Sequence, residues 1–89
     1  MQLTLHATIR SAQRSVPLEI VEAIYWYGHE EQAPGRATLL ALDPDAIRLA
    51  AEDYPHLRGK LERYRNAYLV LSDDQRIITV ARRARRLFQ

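Results

Sequence analysis

Apolar residues recur at helical spacing from the start of the chain. Leu5, Ile9, Ala12 and Val16 fall on one stripe, which predicts a helix from about Leu5 to Arg14 with that stripe facing the core. Thr4 stands where its hydroxyl can accept a hydrogen bond from an unpaired N–H of the first turn. Ser15-Val16-Pro17 interrupts the pattern. Proline costs a first turn nothing, and Glu19 and Glu22 suit the early turns, so a second helix is expected from Pro17 to about Tyr27. Ile20, Ala23, Ile24 and Tyr27 form its buried side. Trp26 lies nearer the Glu19 side and is expected to be partly exposed. Gly28 is placed to end the helix in a left-handed conformation.

Beyond Gly28 the pattern changes. Residues 29–33 suit a short edge strand, Ala33-Pro34-Gly35-Arg36 reads as a turn, and Ala37 to Leu42 is an apolar run of strand length. Asp43 and Pro44 then open a third helix as N-cap and first residue. It runs to about Asp53, where Pro55 interrupts it, and Leu57, Leu61 and Tyr64 suggest a further turn or two. Tyr68 to Leu71 and Arg76 to about Arg83 are strands joined by the turn Ser72-Asp73-Asp74-Gln75, which makes an antiparallel hairpin. The expected fold class is α+β, in the order ααββαββ. Two N-terminal helices precede a small, mainly antiparallel sheet of about four strands with an inserted helix.

A chain of 89 residues suits one domain, spanning 1–89, because so short a chain cannot build two cores. The composition, 47% hydrophobic and 27% charged, is that of a folded protein and not of a disordered one. There is no cysteine, which excludes disulfides and thiolate zinc sites. No segment has the apolar length of a signal peptide or a membrane span, so a cytoplasmic protein without a membrane partner is expected. The net charge is only +2, but twelve of the thirteen basic residues are arginine and five of these lie between Arg76 and Arg86. Arginine suits phosphate and carboxylate recognition; GC-rich coding produces the same bias.

Three groups of residues carry candidate chemistry. His6, Arg10 and Arg14 recur every fourth residue, so they stack on one side of the first helix. A histidine can move protons near neutral pH, and adjacent arginines can hold a phosphate or a charged transition state. A solvated basic face paired with Glu19 or Glu22 has the same spacing. Thr79 and Arg83 lie on the last strand. Alternation puts residues 77, 79, 81 and 83 on one face and 76, 78, 80 and 82 on the other, unless a bulge intervenes. The Arg-rich end, 82–89, contains Arg82, Arg83, Arg85 and Arg86 and with Arg76 offers phosphate contacts whose affinity falls with salt; it suits an acidic protein partner equally. His6, His29 and His56 lack metal-ligand spacing, and no metal or other cofactor is expected. Tyr25, Trp26 and Tyr27 suit either base stacking or the core.

His6-Ala7-Thr8-Ile9-Arg10, with Arg14 and Val16, resembles the pattern His-Ala-x-x-Arg-x-x-x-Arg-x-[Ile/Val] of the domain-of-unknown-function family 4258. Tyr27-Gly28, the strand Tyr68-Leu69-Val70-Leu71, and Ile78-Thr79-Val80 with Arg83 extend the likeness over nearly the whole chain. Ser15 stands where the family carries glycine, and Arg82 where a histidine or tyrosine is expected. The resemblance implies a fold similar to RelE-like toxins and related metal-independent ribonucleases, with His6, Arg10, Arg14, Thr79 and Arg83 as the polar site. It also implies RNA as substrate and a protein antitoxin as partner. On that basis the expected function is metal-independent RNA cleavage, with His6 as general acid or base and the arginines stabilising the phosphate. A non-catalytic module that binds nucleic acid or protein through the same surface is the alternative, and a small regulatory subunit docking on an acidic neighbour is a third.

Overall fold

The computed structural model describes residues 1–83; Arg85 and Arg86 lie outside the described residues. Nine residues form α1 (Leu5–Gln13), and Thr4 caps it by accepting a hydrogen bond from the Ala7 N–H at 3.1 Å. Helix α2 (Leu18–Tyr27) follows Pro17, which holds extended backbone at the N-cap. Strands β1 (His29–Gln32) and β2 (Thr38–Ala41) pair antiparallel across the expected turn. Helix α3 (Pro44–Asp53) begins at Asp43, whose carboxylate accepts from the Ala46 N–H at 2.7 Å. Pro55 breaks it, and the chain continues as a short 3-10 turn (Pro55–Leu57) into α4 (Arg58–Arg63). Strands β3 (Ala67–Leu71) and β4 (Ile77–Arg82) close the fold as a hairpin. Among the described residues there are thus four α-helices and one antiparallel sheet of strand order β1-β2-β3-β4.

The helices cover one face of the sheet, and one connected cluster of buried residues lies between them. Ile20, Ile24, Leu42, Leu57, Leu61, Leu69 and Ile77 are its largest fully buried side chains. On β3, Ala67, Leu69 and Leu71 are buried while Tyr68 and Val70 are only half-buried, the alternation of a sheet covered on one side. The other face carries Tyr68, Val70, Thr79 and Ala81, which pair across the β3–β4 ladder.

Three local expectations change. Of the expected stripe Leu5, Ile9, Ala12 and Val16, only Val16, just past α1, reaches the core. Leu5 is 77% and Ile9 47% exposed, Ala12 is exposed, and the buried residue of the helix is Ala7. Residues 2–4 pair with the start of β4 through Thr4 N–H to Ile77 C=O (3.0 Å) and Ile77 N–H to Gln2 C=O (2.9 Å). That pairing sets the rotation of the helix that follows, so Ala7 turns inward and the longer side chains turn out. Gly28 is extended, at φ −61° and ψ 147°, and not left-handed. What requires glycine there is space, since a Cβ would fall 2.4 Å from the Ile24 carbonyl oxygen and 3.1 Å from the Leu40 Cβ. In β4 the register shifts between Val70 and Leu71, so Ile78 is an extra residue and Ile77 joins Val80 in the core instead of sharing a face with Thr79.

At the end of α1 it is Ser15 that takes a left-handed backbone, at φ 55°, as Gln75 and Gly35 do in the two hairpin turns. It lies between α1 and α2, where Arg14 and Ser15 donate to the Arg10 and Ala12 carbonyls and the Ser11 hydroxyl donates to the Val16 carbonyl at 2.7 Å. The position thus makes the demand that glycine meets without strain.

Candidate functional site

Helix α1 packs along β4, so the two elements that carry the polar pattern are neighbours. His6 and Arg14 are exposed and Arg10 is half-buried. The Arg10 guanidinium donates to the Gln13 side-chain oxygen at 3.4 Å. Neither Glu19 nor Glu22 pairs with this column: Glu19 lies 3.7 Å from His56, and Glu22 accepts the Tyr54 hydroxyl at 2.8 Å. Residues 1–18 contain no Asp or Glu, and among the described residues His6, Arg10 and Arg14 form no ion pair. The Arg10 and Arg14 charges are therefore available to an anion supplied from outside.

Thr79 and Arg83 share the sheet face away from the helices. The Arg83 guanidinium lies over the Tyr68 ring at 5.1 Å and 3.9 Å from the Glu31 carboxylate. Its backbone N–H donates to the Asn66 carbonyl at 2.8 Å, which extends the hairpin pairing by one residue. Arg82 points the other way, as alternation predicts. It donates to the Asn66 side-chain oxygen (3.2 Å) and the Arg63 carbonyl (3.3 Å), and covers the Tyr64 ring at 5.1 Å. Arg82 and Arg83 are thus parted by the sheet. Arg76 is exposed at the far end of β4, beside the β3–β4 turn, where its backbone bonds to Ser72.

The structure brings together Thr79 with Arg83, and α1 with β4. Among the described residues no hydrogen bond or ion pair joins His6, Arg10 or Arg14 to Thr79 or Arg83. Tyr68, Glu31 and Asn66, which hold or flank the arginines, escape a reading by motif. Tyr68 carries the one sequence signal, an aromatic on the outward phase of an alternating strand; Glu31 and Asn66 reach the arginines only through sheet register.

Among the described residues two titrations are perturbed, one at the C-cap of α3 and one in the β3–β4 turn. The Glu22 carboxylate that accepts the Tyr54 hydroxyl holds that phenol above the ordinary tyrosine range. The Ser72 hydroxyl donates to Asp74 and, with the Arg76 backbone, holds its carboxyl below the ordinary range. Neither group lies in the polar site. Among the described residues no group of three His, Cys, Asp or Glu side chains is arranged to hold a metal ion, and no helix is long and apolar enough to cross a membrane.

Comparison of the chain with protein-family models, with curated proteins and with solved structures finds no match. The chemistry of the site therefore rests on its own residues.

Proposed function

We propose that this protein cleaves RNA without a metal, in the manner of RelE-like toxins, using the α1 column. The observation that carries the reading is the acid-free column of His6, Arg10 and Arg14 on a helix packed along β4; Thr79 and Arg83, on the sheet face away from the helices, stand outside the phosphate contact. The arginines hold a backbone phosphate and offset the charge that builds on it in the transition state. His6 takes the proton from the adjacent 2′-hydroxyl as the 2′ oxygen bonds to phosphorus. The bond from phosphorus to the 5′ oxygen then breaks, and that oxygen receives its proton from the imidazolium or from water. This reading places the protein in the cytoplasm, with RNA as substrate and an acidic antitoxin as partner.

The test is cleavage of a mixed-sequence RNA in EDTA by the wild type, His6→Ala and Arg10→Ala. Cleavage that survives chelation and falls about a hundredfold in His6→Ala supports the reading. Cleavage that His6→Ala leaves unchanged overturns it.

A second reading is a binding module that uses the same cations without proton chemistry. It is favoured by one observation: among the described residues nothing hydrogen-bonds to the His6 side chain to orient it, as a catalytic base generally requires. Salt-sensitive RNA binding that survives His6→Ala, with no cleavage by the wild type, selects this reading.

A further inference from the structure

Helix α4 and the strand end beside it carry a second group of cations. In residues 54–72 Glu62 is the sole acid, set against Arg58, Lys60, Arg63 and Arg65. Arg65 takes up that acid at 3.6 Å. Among the described residues Lys60, Arg63 and Arg82 form no ion pair. Leu61 is the buried residue of α4, and Lys60 and Arg63, at i and i+3, share its exposed side.

Arg82 turns this group from scattered surface charge into a built site. Its Nε donates to the Asn66 side-chain oxygen at 3.2 Å, its Nη2 donates to the Arg63 carbonyl at 3.3 Å, and its guanidinium lies over the Tyr64 ring at 5.1 Å. Asn66 is fixed in turn, its side-chain nitrogen donating to the Arg83 carbonyl at 3.1 Å. All these partners are neutral, so they hold the cation without answering its charge. Among the described residues Nη1 makes no hydrogen bond. An arginine immobilised beforehand loses less rotamer freedom when a ligand arrives. Arg63 is the last residue of α4, so the fixed guanidinium stands at the end of the helix that carries Lys60 and Arg63.

The surroundings select the ligand. Among the described residues no large hydrophobic side chain beyond Leu49 is exposed, so this end of the molecule offers no apolar anchor to a protein helix or to a bilayer. A surface of N–H donors and positive charge alone suits a phosphate backbone, which arginine's fork matches. We propose that Lys60, Arg63 and Arg82 form a second phosphate site that holds the backbone of RNA. Helix α1 packs along β4 and α4 against α3 and the 3-10 turn, so the two sites stand on different elements. The inference rests on RNA being the ligand of this protein, whether cleaved or only bound, and adds that the chain engages it at two places. An RNA long enough to reach both gains affinity, because the second contact forms within one complex.

The test measures binding of the whole chain to a fluorescent single-stranded RNA of about 12 nucleotides by anisotropy, with every 2′-hydroxyl methylated so that cleavage cannot intervene. Lys60→Glu and Arg63→Glu should each weaken binding about tenfold, since each removes a phosphate contact and sets an acid against the backbone. Lys60→Gln should lower the slope of log affinity against log salt by about 0.7, the value for one contact on a single strand. Lys60 and Arg63 are exposed, so these variants keep their fold, which circular dichroism verifies. Arg36→Glu is the control and should leave binding unchanged. That arginine is exposed in the β1–β2 turn and faces Asp73 of the β3–β4 turn, at the opposite end of the sheet from Arg82. Lys60 is also the sole lysine, so acetylation read by mass spectrometry reports on the site directly, and bound RNA should protect it. RNA binding that Lys60→Glu and Arg63→Glu leave intact, an equal loss in Arg36→Glu, or acetylation at the same rate with and without RNA overturns the second site and leaves the α1 column standing. A wild type that neither binds this RNA nor cleaves the unmethylated one overturns the RNA reading and the second site together.

Discussion

Helices α1 and α3 are alike as sequences and opposite in use. Each is short and amphipathic, and each begins at a side-chain cap, Thr4 in one and Asp43 in the other. Helix α3 buries Ala46, Ile47, Ala50 and Ala51 and packs against α2, the 3-10 turn and α4. Helix α1 packs along β4, buries Ala7, and turns Leu5 and Ile9 to solvent. A hydrophobic stripe states that a face needs cover; which neighbour provides it depends on the rest of the fold. In α3 the cover comes from within the chain. In α1 Leu5 and Ile9 stay open to water.

The same contrast holds where the two helices end. Tyr54 caps the C-terminus of α3 and ties it to α2 through the Glu22 carboxylate at 2.8 Å. Arg14 caps α1 and is followed by the left-handed Ser15. One end is held by a charge-assisted hydrogen bond and the other passes through a residue under backbone strain.

Truncating one isoleucine in each helix breaks the comparison most sharply. Ile47→Ala should cost about 2–4 kcal/mol in urea unfolding, since the site is buried and leaves a cavity. Ile9→Ala should cost under about 1 kcal/mol, because water already reaches that side chain. Equal losses would mean that α1 is covered after all.

A smaller effect is expected at Tyr54. Tyr54→Phe removes the hydrogen bond to Glu22 and should lower stability by about 1 kcal/mol. The phenol is held above its ordinary range in the folded protein. Its contribution is therefore complete below the unfolded value, about 10, and is lost as pH rises through the folded value. Alkaline unfolding curves of the wild type should converge on those of Tyr54→Phe. Convergence on acidification instead would refute the assignment.

The smallest effect lies at the end of α1. Ser15→Gly relieves a positive φ and should raise stability by up to about 1 kcal/mol, offset in part by the greater freedom of glycine in the unfolded chain. A lowered melting temperature would show that the serine side chain contributes more than its backbone costs.

Much of the secondary structure was legible because its signals are local. Thr4, Asp43 and Pro44 mark helix starts through backbone groups only a few residues away, and Pro55 stops α3 for the same reason. The hairpin turn at 72–75 and the opposed directions of Arg82 and Arg83 follow from strand alternation. The bulge at Ile78 was not legible, because it shows only against β3. The candidate site was legible as two columns, His6-Arg10-Arg14 and Thr79-Arg83, but their companions were not. Tyr68, Glu31 and Asn66 meet the arginines across strands and loops far apart in sequence.

The sequence by itself determined the α+β class, the positions of the helices and strands, and a cationic, acid-free first helix. These depend on capping, periodicity and charge over short spans of chain. Only the tertiary structure decided which side of each element is covered. Gly28 shows this in small, its need for space arising from Ile24 and Leu40 across the helix–sheet junction. Helix α1 shows it in full. Pairing of residues 2–4 with the start of β4 sets how that helix is rotated, and rotation, not composition, leaves Leu5 and Ile9 in water.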